Sequence, residues 1–298
     1  MRVVTNQKKS YLYGLSAVFL WSTVASAFKI TLQYFSPVQL LFYSVLFSLI
    51  VLFLIILKDK KIQLLFSYTK SDYIKLAILG IINPFLYYLI LFRAYDLLPA
   101  QVAQPINYTW ALTLGYMSFF ILKQKLTIYD FIAGIICYIG ILIISTHGDI
   151  FTFSFSSAFG VFLAFSSTIL WSLYWIYNIK LDVDQVVSLF VSFLSGFISI
   201  FFYMLLFSIP FEANLNGILG SAYIGCFEMG VTYILWLNAM KLTSTSSKIA
   251  NLIFISPFLS LFFIHLLVGE QILVSTFIGL VLIIIGLLIQ QKKDKKTL

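Results

Sequence analysis

The stretch ILGSAYIGCFEMGVTYILWL, residues 218–237, decides the reading of this chain. It is long and apolar enough to cross a bilayer, because about 30 Å of hydrocarbon needs roughly 20 helical residues. Yet Glu228 stands halfway along it. An ionised carboxylate in lipid costs several kcal/mol, roughly 2.5 to 3.5 on insertion scales. A chain keeps such a group where it faces protein or a water-filled cavity. The stretch therefore reads as part of a transport or binding site.

The surrounding sequence has the same character. Of 298 residues, 61% are hydrophobic and 10% charged, and the mean hydropathy is +1.01. A soluble domain carries about 25% charged residues, so the expected solvent for most of this chain is lipid. The net charge of +8 is not a nucleic-acid footprint, since the basic residues lie between apolar runs and at the ends rather than on one face. Cys137 and Cys226 both fall inside apolar runs, with no CxxC or Cys/His ligand spacing, and read as small buried hydrophobes. No phosphate-binding loop, dinucleotide fingerprint, HExxH pair or nucleophile elbow occurs. We expect no enzyme, no cofactor and no metal.

Working outward from residues 218–237, the pattern predicts an all-α integral membrane protein with ten transmembrane helices: 11–29, 37–57, 74–95, 100–122, 128–146, 158–179, 185–208, 216–239, 247–268 and 272–290. An even count puts both termini on one side. With that side cytoplasmic, 17 of the 19 Lys and Arg lie inside, and only Lys29 and Arg93 lie outside, as the positive-inside rule requires. The expected location is the bacterial cytoplasmic (inner) membrane, with N- and C-termini cytoplasmic.

The chain also repeats itself. Leu20-Trp21-Ser22 with Lys29 recurs as Leu170-Trp171-Ser172 with Lys180, and Tyr88 with Ala94 and Leu97 recurs as Tyr233 with Ala239 and Leu242. The run Phe131-Ile132-Ala133-Gly134 with Gly140 recurs as Phe277-Ile278-Gly279 with Gly286. Each half, 1–150 and 151–298, holds five expected spans. Five is odd, so the halves enter from opposite faces, giving a 5+5 inverted-topology repeat of the kind built into many secondary transporters. An offset of 145 pairs Glu228 with Asn83, both polar and mid-span.

Further polar residues fall on shared helix faces: Ser22, Ser26 and Lys29; Gln101, Gln104, Asn107 and Tyr108; Trp171, Tyr174, Trp175 and Asn178; Ser247 and Asn251. Spans one, three, four, six, eight and nine thus carry the mid-membrane polarity and are expected to line a cavity. Spans two, five, seven and ten are expected to scaffold it against lipid. Indole and phenol suit an amphipathic solute with an apolar or aromatic part, or a cation over a ring face. Arg93 and Asp96, three apart, read as a local pair, and Gly134, Gly140, Gly279 and Gly286 as points of close helix packing. Pro84 and Pro257 either break their helices locally or kink them.

The whole chain resembles the drug/metabolite transporter superfamily, specifically its EamA-type transporters. The sharpest element is Phe254-Ile255-Ser256-Pro257 followed by Val268-Gly269-Glu270 and then Gly279 and Gly286; in the first half, Gln124 stands where that signature has its Glu. The stretch from Gly14 to Thr23, with Asn107-Tyr108-Thr109-Trp110, also resembles the bacterial aromatic amino-acid exporter branch. The resemblance implies two EamA-like repeats around a central cavity and the export of amino acids or related metabolites.

The resulting expectation is a secondary transporter, an exporter of small organic solutes working by alternating access, as a monomer or weak dimer. Its partners are a small-molecule substrate and the lipid bilayer, with proton coupling and no nucleic acid. The candidate substrate-binding residues are Trp21, Ser22, Asn83, Gln104, Asn107, Tyr108, Trp110, Trp171, Tyr174, Trp175, Glu228 and Asn251. Glu228 is expected either to bind an ammonium group or to carry the coupling proton. The rival readings are a multidrug or quaternary-cation exporter on the same scaffold and a passive channel.

Overall fold

Polar caps mark where the helices begin. At the edge of hydrocarbon, the first amides of a helix need a side-chain partner if water is not to supply one. Asn6 accepts from the amide of Lys9 at 3.1 Å. Ser36 and Gln39 form a reciprocal capping box with Pro37 at the first helical position. Thr69 and Asp72 form a second, and Asp130 takes the Thr127 amide at 2.6 Å in a third. Asp184 accepts from Val186 and Val187, and Asn214 accepts from Gly217.

The computed structural model describes residues 6–149, 157–178, 180–243, 249 and 251–291, the side chains of Leu237 and Asn251 excepted. Within them the regular elements are α1 (Gln7–Thr31), α2 (Pro37–Lys58), α3 (Lys70–Gly80), α4 (Tyr87–Leu97), α5 (Ala100–Tyr108), α6 (Trp110–Leu122), α7 (Ile128–Ser145), α8 (Ala158–Asn178), α9 (Gln185–Leu206), α10 (Leu215–Phe227), α11 (Val231–Leu242), α12 (Ile255–Phe263) and α13 (Val274–Gln291). Short 3-10 turns occupy Ile62–Phe66 and Asn251–Phe254, and π-helical segments occupy Ile81–Leu86 and Ile264–Val268. Eight stretches are long and apolar enough to cross a membrane as one helix, counting Lys70–Leu97 and Leu215–Leu242 as one each. The fold is an all-α, multi-pass integral membrane fold.

Ten helical stretches were expected, and the differences are informative. Four of them are interrupted. In the third, Asn83 leaves the helix (φ −144°, ψ 118°) immediately before Pro84, as a residue preceding proline prefers to do. In the fourth, Thr109 separates α5 from α6; its hydroxyl takes the Ile106 carbonyl at 2.7 Å. Pro105 meanwhile has no amide to offer one turn back. In the eighth, residues 228–230 part α10 from α11. Gly230 adopts φ −128°, ψ −96°, and a Cβ there would stand 2.9 Å from the Cys226 carbonyl oxygen. Ser48 takes the Met229 carbonyl at 3.0 Å. The ninth opens on the turn Asn251–Phe254, with Pro257 in the first turn of α12.

The chain packs as two compact units. The first comprises Met1–Phe85 and Val183–Gly269. In it, α1 packs on α10, α11 and α12, α2 on α9 and α10, and α3 on α9. The second comprises Leu86–Asp182 and Glu270–Leu298. In it, α8 packs on α4, α5 and α6, and α7 pairs along its length with α13. The α7–α13 crossing runs through glycine: a Cβ on Gly140 would lie 2.6 Å from the Gly279 carbonyl oxygen, and one on Gly279 equally close to that of Gly140. The expected close packing at Gly134 and Gly286 also holds, against Tyr116 and against Cys137 with Ala133. Large apolar side chains stand exposed on α2 (Phe53, Leu54), α7 (Phe131, Ile135), α9 (Ile198, Phe202) and α13 (Phe277, Ile278). Such side chains also stand exposed on the other spans, among them Phe19, Ile78, Phe120, Phe162, Leu219 and Phe262, so every span offers lipid an apolar face.

Candidate functional site

In the second unit the aromatic stripe of α8 forms the centre of a ring cluster. Trp171 lies 4.7 Å from the ring of Tyr87 at 33°, 6.4 Å from Trp110 at 78°, 5.9 Å from Tyr174 and 6.0 Å from Trp175. Tilted and edge-to-face geometries at these separations are the favourable ones for rings. Asn107 reaches across from α5. Its Nδ2 donates to Ser167 Oγ at 3.1 Å and lies 3.4 Å from the Tyr87 hydroxyl. Ser172 Oγ donates to the Trp110 carbonyl at 3.2 Å, just beyond the Thr109 break.

Several polar atoms of this unit are buried with no hydrogen-bond partner among the described residues, Ser145 Oγ and Ser275 Oγ among them; on α5 and α8 they include Gln104 Oε1 and Trp175 Nε1. One is an acceptor and the other a donor. Buried polar atoms are nearly always paired, so each points to an occupant, water or solute. Tyr108 is half-buried on the same helix.

Gln101 behaves differently from its expected place on the cavity face. Its side-chain nitrogen donates to the Gln271 carbonyl at 2.9 Å. Its Oε1 accepts from the Leu273 amide at 2.9 Å and the Thr276 hydroxyl at 3.0 Å. Glu270 answers from the other side, accepting the amides of Ala100 at 2.7 Å and Gln101 at 3.1 Å. The carboxylate thus caps α5 while Gln101 fastens the start of α13. This clasp fixes the helix that carries Gln104 and Asn107.

In the first unit a second aromatic group forms around Trp21, which meets Tyr233 edge-on at 5.9 Å and Trp236 at 5.5 Å. Thr23 and Tyr223 share a 2.6 Å hydrogen bond. The buried Ser22 hydroxyl donates to the Phe19 carbonyl of its own helix at 2.6 Å. Glu228 is half-buried and ends α10, so it stands at the break before α11 rather than within a helix. Asn83 is 1% exposed, and its Oδ1 has no hydrogen-bond partner among the described residues. Ser247 and the side chain of Asn251 lie outside the described residues.

The structure therefore brings Asn107, Trp110, Trp171, Tyr174 and Trp175 into one cluster and places Trp21 in another. Tyr87, Ser167, Tyr223 and Tyr233 were not singled out. Tyr87 follows Asn83 by four residues, a spacing that would put both on one face of an unbroken helix, but Asn83 lies at the break before α4. Arg93 and Asp96 form the expected local ion pair. Among the described residues no group of three or more His, Cys, Asp or Glu is arranged to hold a metal.

The EamA-like transporter family model matches the sequence twice, over residues 8–146 and 158–290. An uncharacterized transporter of Clostridium kluyveri is 30% identical over 299 residues, covering 97% of this chain and 95% of that one. An uncharacterized transporter encoded in the sor 3′ region of Acidianus ambivalens is 27% identical over 207 residues, 68% of this chain and 79% of its own. A crystal structure at 18% identity superimposes with a TM-score of 0.68, covering 98% of this chain and 99% of that one, a likeness of fold alone.

Proposed function

Because the chain belongs to the EamA-like transporter family, we propose that it exports a small organic solute across the cytoplasmic membrane by alternating access, with both termini on the cytoplasmic side. The cluster of Trp110, Trp171, Tyr174, Trp175, Asn107 and Gln104 receives the apolar part of the solute. Rings supply flat contact area, while the amides of Asn107 and Gln104 fix orientation. The cluster's ring and hydrogen-bond partners among the described residues are all uncharged, so it suits an uncharged moiety. Amino acids and related metabolites carry such a moiety; Glu228, in the first unit, is the candidate either to bind an ammonium group or to carry a coupling proton.

The observation that carries this reading is where the helices break. Interruptions fall in the four spans that hold Asn83, Asn107, Glu228 and Asn251, and a discontinuous helix exposes backbone ends to solute and coupling ion. The breaks also support two inverted five-span repeats, residues 1–150 and 151–298. Asn83 and Glu228 lie at breaks 145 residues apart, and Thr109 and Phe254 at breaks the same distance apart. Left-handed residues end the following helical stretches at Lys123 and Gly269. The double family match supports the same division.

The test begins with a thermal-shift screen of the purified chain against amino acids, organic cations and metabolites, since a ligand that binds only the folded form raises the melting point. The best hit then serves for transport in proteoliposomes. Glu228→Gln is expected to abolish accumulation driven by a pH gradient while counterflow persists. Equal loss of both would remove the coupling role. Flux that neither saturates nor exchanges would mean a channel and refute the carrier reading.

A further inference from the structure

The segment between α2 and α3 is built in a way that transport does not explain. Its 3-10 turn, Ile62–Phe66, is fastened at several points. Lys61 Nζ meets Asp184 Oδ2 at 2.8 Å. The Asp184 amide donates to the Tyr68 hydroxyl at 3.0 Å. The Tyr73 hydroxyl donates to the Leu65 carbonyl at 2.5 Å. Held in this way, the segment presents Phe66 at 84% exposure, the highest among the exposed large apolar side chains, with Ile62 at 40% beside it. No described protein group covers the Phe66 ring.

Five lysines flank Phe66 in sequence, from Lys58 to Lys75, and the structure sorts them. Lys61 is engaged by Asp184 and Asp59, and Lys75 faces Asp72 at 3.7 Å. Lys58, Lys60 and Lys70 are exposed, and none of the three belongs to an ion pair among the described residues. Lys60 is held in the left-handed region (φ 55°), where the chain turns out of α2.

We propose that residues 58–70 form a docking surface for anionic phospholipid, with Phe66 seated at the boundary of headgroups and acyl chains and Lys58, Lys60 and Lys70 on the lipid phosphates. The segment joins two spans, so it lies at a membrane surface. An aromatic ring flanked by lysines is the side-chain set that favours that boundary. Lysines near an anionic leaflet each contribute about 1 kcal/mol, a factor of about five. Free phosphate or an acidic peptide would satisfy the charges but leave Phe66 in water. A lipid satisfies both.

The experiment uses the full chain in detergent, titrated with short-chain phosphatidylglycerol or phosphatidylcholine and read by native mass spectrometry and by melting temperature. The wild type is expected to retain phosphatidylglycerol preferentially, less so at high salt. The variant carrying Lys58→Gln, Lys60→Gln and Lys70→Gln together should lose about tenfold or more in phosphatidylglycerol affinity, with phosphatidylcholine unchanged. Phe66→Ser should weaken both lipids alike. Circular dichroism and size exclusion check that each variant is folded. Four outcomes overturn the proposal: equal retention of the two lipids by the wild type; an unchanged preference in the triple variant; the same loss in a Lys123→Gln, Lys125→Gln control, which would spread the attraction over every basic loop; or displacement of the lipid by inorganic phosphate, which would make this a site for the free anion.

Discussion

Removing the Glu270–Gln101 clasp should loosen α5 by an amount that can be worked out bond by bond. Glu270 accepts two amides in the first turn of α5; losing such a cap costs about 1 kcal/mol, and the anion's interaction with the helix dipole adds about 0.5 kcal/mol. Gln101 makes three bonds to the start of α13; interhelical hydrogen bonds in membrane proteins average about 0.6 kcal/mol each, so Gln101→Ala should cost about 2 kcal/mol. Glu270→Gln keeps one acceptor oxygen and should cost about half as much as Glu270→Ala. The two sites share a crossing, so the double variant should fall short of the sum. The assay is reversible unfolding in mixed micelles, with hydrogen exchange followed over residues 100–104. Exchange there should quicken in every variant while α7 stays protected. Unfolding free energies within about 0.3 kcal/mol of wild type, together with unchanged exchange at Ala100 and Gln101, would refute the clasp, because an unmade bond has nothing to lose.

Two further outcomes are expected. Gly140→Val puts side-chain carbon against the Gly279 backbone and must part α7 from α13, costing about 1 to 3 kcal/mol, as inserted methyl groups in a tight core do; Gly279→Val should match it, and unfolding curves that coincide with wild type would deny the contact. The Asp184 carboxyl is pushed up by partial burial, but hydrogen bonds from Lys61 and from the Val186 and Val187 amides outweigh that and hold it below its ordinary 3.8. A carboxyl lowered on folding contributes stability in full above the unfolded value and loses it as pH falls through the folded one. Melting temperature should therefore drop below about pH 4 more steeply in wild type than in Asp184→Asn, with no difference in slope between about pH 5 and 8; parallel acid limbs would count against the Lys61–Asp184 pairing.

Much of the architecture was legible from hydropathy alone, since lipid permits few alternatives to a helix of about 20 residues. The cluster on α8 was equally plain, because Trp171, Tyr174 and Trp175 recur at helical spacing. The breaks were harder to read. A hydropathy sum is blind to where the backbone turns aside, and at Thr109 α5 gives way to α6 without a change in polarity to mark it. Gln101 was misplaced for a related reason. Helical periodicity assigns it the face of Gln104, but its partners lie 170 to 175 residues away at the start of α13. Only the tertiary fold shows that it is engaged there.

The packing pattern bears on mechanism through exchange of partners. If span one is swapped for span six, two for seven, and so on through five for ten, most principal contacts map onto one another, although the packing of α1 on α10 has no comparable counterpart between α8 and α3. Helix α1 packs on α11, and α8 on α4; α1 packs on α12, and α8 on α5 and α6; α2 packs on α10, and α9 on α3; α7 and α13 pair with each other. The ring contacts follow it only to within a residue: Trp21 meets Tyr233, while Trp171 meets Tyr87, the neighbour of the residue that the repeat pairs with Tyr233. Two sequence copies that merely shared ancestry would need to retain their sequence, but nothing would oblige their partners to exchange in this way. The inverted repeat proposed above, with its pseudo-two-fold axis, would oblige it. The symmetry is also incomplete where it matters chemically. Asn83 and Glu228 occupy matching breaks, yet one side chain is a neutral amide and the other an acid. On the reading proposed above Glu228 carries the coupling proton, so Glu228→Gln, rather than a change at Asn83, is the substitution expected to separate coupled transport from exchange.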